Sequence, residues 1–485
     1  MSASHPGHLA RHLVVATNIM LAGLVPTACI STDPADDRRE AVSIGLDRID
    51  QPRLASRLEE LPNRPLPEWP PSTPLDAEDA VSLAMSRDAE VRRSLVAIDR
   101  ARAQLAQVDR APNPMIEFMI GFPIDGLSGA PAMAMAVQQL TWLWTRPHRL
   151  TAADADRQAA MLGAGRAIIR LDAKVRRRHA NAVNAKRRAE LDREYALSTA
   201  GFSKILESLF EVGEASRIDV DRMLVESNHA LVSAEASEST ARLARLELLS
   251  AMGIPDADPD FEVVGTTADD SDAPPSEEMV IELAATGRLD VAASGFRILA
   301  MEARHGLAET RRLPEVKAAL GWNRNFMERQ ALMPGGILTV PLFDDGTPAI
   351  ARARADLREA ALLLLEVRRR AITEARDARE RLVRAVGRRR GYERTILEPA
   401  ARAERLARTA YEEGVIDLTV VLMAQRTRIE ADRHSLAYHL EEVTANIDLL
   451  ESVGGSLETP LDPSIMSGTD EQRIADHLAS VGAAP

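Results

Sequence analysis

The stretch "GGILTVPLFDDG", residues 335–346, decides the fold. Ile337, Leu338, Thr339, Val340, Leu342 and Phe343 make it apolar and partly β-branched, and Asp344-Asp345-Gly346 closes it as a turn. It reads as the end of a β-strand, yet nearly everything around it reads as long, charged helix.

The strand has companions. "PMIEFMIG" (114–121), "AMAMAVQQLTWLW" (132–144) and "PEVKAALG" (314–321) share its character. Within 316–323, Val316, Ala318, Leu320 and Trp322 fall on one face, and Lys317, Ala319, Gly321 and Asn323 on the other. Likewise Ile116, Phe118 and Ile120 alternate with Glu117 and Met119. Such alternation suits a transmembrane β-barrel and equally a half-buried soluble sheet. Four short strands cannot close a barrel, and open edges cannot sit in lipid. In a membrane, several chains must therefore pool them, as a cyclic oligomer. Leu338, Val340 and Leu342 then face lipid, with Thr339 towards the lumen.

The order of signals occurs twice. "LAMSRDAEV" (83–91) is answered by "LAATGRLDV" (283–291), and "PMIEFMIG" by "PEVKAALG", 200 residues later in each case. Gly213 is answered by Gly414, and "LELLSAMG" (246–253) by "IDLLESVG" (447–454), 201 residues later. Landmarks repeated in order indicate an internal duplication. The first repeat spans 74–253, an acidic linker 254–275, and the second repeat 276–455, followed by a flexible tail, 456–485. Each half reads helix, strand, loop, strand, very long helix, turn, helix. The first helix is expected to run from near Pro74 to Arg110.

The stretch from Pro348 to Glu412 reads as one helix of nearly 100 Å at about 1.5 Å per residue. Leu364, Val367, Ala371, Ala375, Ala378, Leu382 and Ala385 recur at threes and fours, the seam of a coiled coil. Gly213 and Gly414 can take positive φ and end a helix. Ser216 and Asp417 stand where the next helix needs a cap, and "SRID" (216–219) fits a capping box with Asp in the acidic place.

At the N-terminus, Arg11 and His12 precede "LVVATNIMLAGLVPTAC", the order of a secretory signal over residues 1–28. Cys29, the only cysteine, sits where a bacterial lipoprotein signal places its lipidated residue, with Pro26 in a position usually aliphatic. Residues 29–73, with "LPNRPLPEWPPSTP" (61–74), read as an extended arm.

The net charge of −13 argues against nucleic acid as the main partner, and 3% aromatics favour Ala/Leu helix packing. Arg176–Arg178, Arg368–Arg370 and Arg388–Arg390 read as solvated helix faces. The chain lacks a Walker loop, GxGxxG after a strand, HExxH and GxSxG, so no catalytic residue, cofactor or metal site is assigned. His434 and His439, five apart, are poorly placed for one metal. Met115, Met119, Met133 and Met135 carry soft thioethers of the kind that ligate Cu(I). On residue type alone, strand filler is the heavier reading.

Taken in order, the duplication, the "P…G" strands, "GGILTVPLFDDGTPAIARARA", "AYEEGVIDLTVVLMAQ" and "LLESVGG" resemble TolC-like outer-membrane efflux proteins, over about residues 74–456. The resemblance implies a mainly α, α+β membrane protein: a homotrimer whose four strands per chain form one twelve-stranded β-barrel, continued by a coiled-coil α-helical barrel across the periplasm. It implies contact with outer-membrane lipid, a periplasmic adaptor (membrane fusion) protein and an inner-membrane RND transporter as partners, and passive conduction of substrate. "VQQLTWLWTRPHRLTAADADRQAA" (137–160) looks most like the heavy-metal branch, although Thr145-Arg146-Pro147-His148 replaces its usual Gly-Lys turn. Drug efflux and type I protein secretion ducts share the fold, and a periplasmic structural coiled coil is the reading outside the family. Tyr411 matches an aromatic at the family's closed periplasmic tip. Val420 and Met423 stand where some members carry acids, so Leu418, Val420 and Met423 would close the tip by apolar packing.

Overall fold

The computed structural model describes residues 30–49, 69, 73–122, 124, 129–265 and 273–457. The signal segment, Cys29 and all but the first two residues of the tail lie outside the described residues. The described residues divide into two compact units, the first drawn from 30–34, 99–154 and 303–350 and the second from 35–98, 155–302 and 351–457.

The first unit is built on one antiparallel sheet. Its strands are β1 (Met115–Ile120), β2 (Ala132–Gln139), β3 (Glu315–Arg324) and β4 (Gln330–Thr339), in the order β1-β2-β3-β4. Strands far apart in sequence meet in the middle, where Leu320 faces Ala136 on one side and Pro334 on the other. Beneath the sheet, Gln139 donates to Glu315 at 2.9 Å and the Val316 N–H donates to Thr141 Oγ1 at 3.0 Å. The opening stretch is only partly strand. β4 begins at Gln330 and ends at Thr339, so Val340 and Leu342 follow it in a turn where Leu342 N–H donates to the Val340 carbonyl. The Gly346 and Thr347 N–H groups donate to the Asp344 and Asp345 carboxylates, which starts the next helix.

The second unit is helical. Its described elements include α1 (Ala35–Asp47), α2 (Ala77–Arg87), the start of α3 (Ala89–Asp109), most of α4 (Trp142–Glu211) and α5 (Arg217–Ala251). They continue with α6 (Glu277–Thr286), the start of α7 (Leu289–Glu309), α8 (Thr347–Tyr392), α9 (Glu398–Glu412) and α10 (Leu418–Val453). Helix, helix, strand, strand, long helix, helix occurs twice along the chain.

Three expectations need correction. The N-terminal arm is not wholly extended, since α1 packs Ala41 against Ile98, Met161 and Ala164. The linker is docked over its first part: Phe261 and Val263 join the buried cluster of Val81, Ile168, Leu248 and Met252, and Val263 bridges Leu75 in parallel. The helix expected from Pro74 to Arg110 breaks at Asp88, whose carboxylate accepts the Glu90 and Val91 N–H groups and caps α3.

The second half breaks at the matching place by different chemistry. Arg288, 3% exposed, donates to Asp290 through Nε and Nη2 at 3.0 and 2.7 Å, and through Nη1 to Glu374 at 2.6 Å and the Ser452 carbonyl at 3.2 Å. Burial alone would raise the Asp290 pKa, but the Arg288 hydrogen bonds and the Arg166 charge hold it below the usual carboxylate range.

The seam read along α8 is buried in fact. Leu364, Ala371, Ala375, Ala378, Leu382 and Ala385 are all in the interior, and Val367 packs beside them. The single helix expected from Pro348 to Glu412 is interrupted, because Glu393–Leu397 form a π-turn between α8 and α9. Arg428 donates to the Leu397 carbonyl there at 3.2 Å, and His439 Nε2 lies 3.2 Å from Glu393.

Candidate functional site: the sheet faces and the hairpin turns

Register assigns every strand side chain to one of two faces. On the first lie Ile116, Phe118 and Ile120 of β1, Ala132, Ala134 and Ala136 of β2, Val316, Ala318, Leu320 and Trp322 of β3, and Leu332, Pro334 and Leu338 of β4. Polar groups on this face, Gln138, Arg324 and Gln330, stand at its two ends. The second face carries Glu117, Gln139, Glu315, Lys317, Asn323 and Thr339, interleaved with methionines, small residues, Val137 and Ile337. The expected split of Leu338 from Thr339 follows this division. One aliphatic band with polar margins against one mixed polar face is the pattern of a strand set between lipid and water.

Among the described residues both outer edges are open, since β1 pairs only with β2 and β4 only with β3. Their free backbone groups cannot face hydrocarbon unpaired. Pro334, which has no N–H to give, is tolerated because β4 is an edge.

The two helical hairpins turn by one device. Gly213 and Gly414 take φ of 80° and 74°, a left-handed conformation that costs glycine little. Glu214 N–H donates to the Leu209 carbonyl and Val415 N–H to the Ala410 carbonyl, both at 2.8 Å. The caps then differ. Asp219 N–H donates to Ser216 Oγ at 3.2 Å, and the Ser216 hydroxyl donates to the Asp219 carboxylate at 2.6 Å. Asp417 holds the N-cap backbone position, but its side chain accepts no helix N–H, which corrects the expected side-chain cap.

Residues of the expected tip separate into two environments. Leu418 and Leu422 pack on the buried Leu206, Val220 and Met223 of the first hairpin. Tyr411 is half-buried, whereas Val420 and Met423 are 47% and 66% exposed on the other side of α10. Sequence reading overlooked Met333, because the following Pro334-Gly335-Gly336 reads as a break rather than as mid-strand. Among the described residues no cluster of His, Cys, Asp and Glu suits a metal ion, and no helix is long and apolar enough to cross a membrane.

Comparison with known proteins agrees with this geometry. Residues 280–455 match the sequence model of a family described as outer membrane efflux protein. A search of curated proteins returned no significant match. The fold is similar to the outer-membrane channel OprN, with 18% identity and a TM-score of 0.65 over 79% of this chain and 91% of that one. It is similar to the outer membrane protein VceC of Vibrio cholerae, with 14% identity and a TM-score of 0.64 over 79% and 97%. CusC, whose structures concern transmembrane channel formation, aligns at 15% identity and a TM-score of 0.63 over 78% and 92%. Residues 280–455 thus carry the match to the outer membrane efflux protein family, and about four fifths of the chain shares its fold with solved outer-membrane channels.

Proposed function

We propose that three copies of this chain pool their sheets into one twelve-stranded barrel and their long helices into a coiled-coil conduit across the periplasm. The open-edged sheet with one aliphatic face carries this reading: both edges find partners only if β4 of one copy meets β1 of the next. The assembly is the exit duct of a tripartite system, joined to a periplasmic adaptor and an inner-membrane RND transporter. Resemblance of residues 137–160 to the heavy-metal branch makes metal ions its favoured substrate class. Cys29, once lipidated, anchors the N-terminus in the membrane.

The periplasmic end closes at the second hairpin turn. Val420 and Met423 are exposed apolar side chains on the first turns of α10, free to pack on the other copies, while Leu418 ties the turn to the first hairpin. Planar-bilayer recording tests both parts. Purified protein should conduct K⁺ in small steps, and Val420→Ser with Met423→Ser should raise the open conductance. A soluble, non-conducting monomer would contradict the duct, and conductance unchanged by the two serines would contradict the gate.

A further inference from the structure

The polar face of the sheet holds a feature that a water-filled lumen does not require. All five strand methionines are on it: Met115, Met119, Met133, Met135 and Met333. The aliphatic face has none, although methionine would be at home there. Met119 and Met133 are direct cross-strand partners, a relation that brings Cβ atoms within about 4.5–5.5 Å. Met135 pairs with Gly321, which pairs in turn with Met333. Gly321 has no side chain to separate those two strands' methionines, and Met333 leans over it: a Cβ placed at Gly321 would lie 3.6 Å from Met333 Cε. Met115 is the diagonal neighbour of Met135, so the five methionines occupy neighbouring register positions that run from β1 to β4.

We infer that this row is a binding track for soft monovalent cations, Cu(I) or Ag(I), on the lumen wall of the barrel. The inference rests on the duct reading, which makes this face the lumen. Thioethers are weak ligands for hard or borderline ions but select Cu(I) and its congeners. Met side chains have enough rotatable bonds for two or three sulfurs to converge on one ion. Glu117, directly opposite Met135, adds a carboxylate that attracts cations. The other charges on the face, Glu315 and Lys317, are 3.6 Å apart and largely offset each other. A row of neighbouring weak sites, repeated in each copy, suits passage better than one tight site.

Silver binding tests this on the whole detergent-purified channel. Protein is dialysed against silver nitrate in chloride-free buffer and bound metal is counted by mass spectrometry, with K⁺ conductance measured on the same preparations. Met119→Leu, Met133→Leu and Met135→Leu together should weaken silver binding by about tenfold or more, leaving zinc binding and K⁺ conductance as they were. Equal silver binding by variant and parent, with both conducting, overturns the track and leaves the duct standing. A parent that does not conduct contradicts the duct reading and removes the track with it. Should the triple variant fail to assemble, single Met133→Leu and Met333→Leu variants decide: each should bind less silver, and binding equal to the parent's overturns the track.

Discussion

The first half of the chain carries its long helix as one piece, and the second half does not. α4 runs 70 residues from Trp142 to Glu211, whereas its counterpart is α8, a π-turn at Glu393–Leu397, and α9. Near its turn the first hairpin buries Leu206, Val220 and Met223, caps α5 with Ser216, and holds Tyr195 to Glu226 by a 2.6 Å hydrogen bond. Beyond its π-turn the second hairpin buries only the small Ala400 and Ala407 of α9, with Val421 and Ile429 of α10, and its Asp417 side chain accepts no helix N–H. π-turns inside helices concentrate at functional places, and sparse burial lowers the cost of local opening. The difference assigns rigidity to the first hairpin and movement to the second, the one that carries Tyr411, Val420 and Met423.

The largest expected effect is at the base of the second half. Arg288→Met removes the donor shared by Asp290, Glu374 and the Ser452 carbonyl and leaves Asp290 half-buried without its main partner. The loss should be about 3 kcal/mol in urea unfolding followed by circular dichroism. Asp88→Ala, at the matching break of the first half, loses only a cap and should cost about 1 kcal/mol. Equal costs would mean that the two breaks are held alike.

Hydrogen exchange comes next. Amides of 400–425 should open at about 2 kcal/mol less than those of 195–225, and equal protection would remove the contrast between the hairpins. Smaller again are the caps. Ser216→Ala should cost the first turn about 1 kcal/mol, and Asp417→Ala no more than a few tenths, read from the same exchange experiment.

The smallest effect is a pH slope. His179, buried in α4, donates from Nε2 to the Leu75 carbonyl, and burial lowers its pKa from the ordinary value. The matching contact in the second half is made by Arg379, whose Nε donates to the Pro275 carbonyl at 2.8 Å. Below about pH 6.5 the unfolded chain takes up a proton that the folded His179 resists, so stability is full above that pH and declines as pH falls. His179→Gln should flatten the slope between about pH 6.5 and 5, while Arg379→Gln should leave it.

Much of this was legible in the sequence because it is periodic or local. The seam from Leu364 to Ala385 follows helix spacing, and the turns at Gly213 and Gly414 follow from glycine's freedom at positive φ. The faces of β1 and β3 are plain in their alternation. What stayed hidden depends on partners distant in the chain. Pro334-Gly335-Gly336 looks like a break until β3 lies beside it. The break at Asp88 shows no Gly or Pro, and the π-turn has no composition of its own. That α1 packs, inside a stretch read as extended, depends on Ile98 and Met161 being there to receive Ala41. The methionine row was seen in part, but its continuity needs the register that joins Met135 to Met333 across Gly321.

The mass of the particle extracted from outer membranes tests the central claim most directly. Native mass spectrometry in mild detergent should show three copies of the chain, the number proposed above, with each open sheet edge paired to a neighbouring copy. A particle that keeps one copy, with its sheet edges unpaired, would contradict the account.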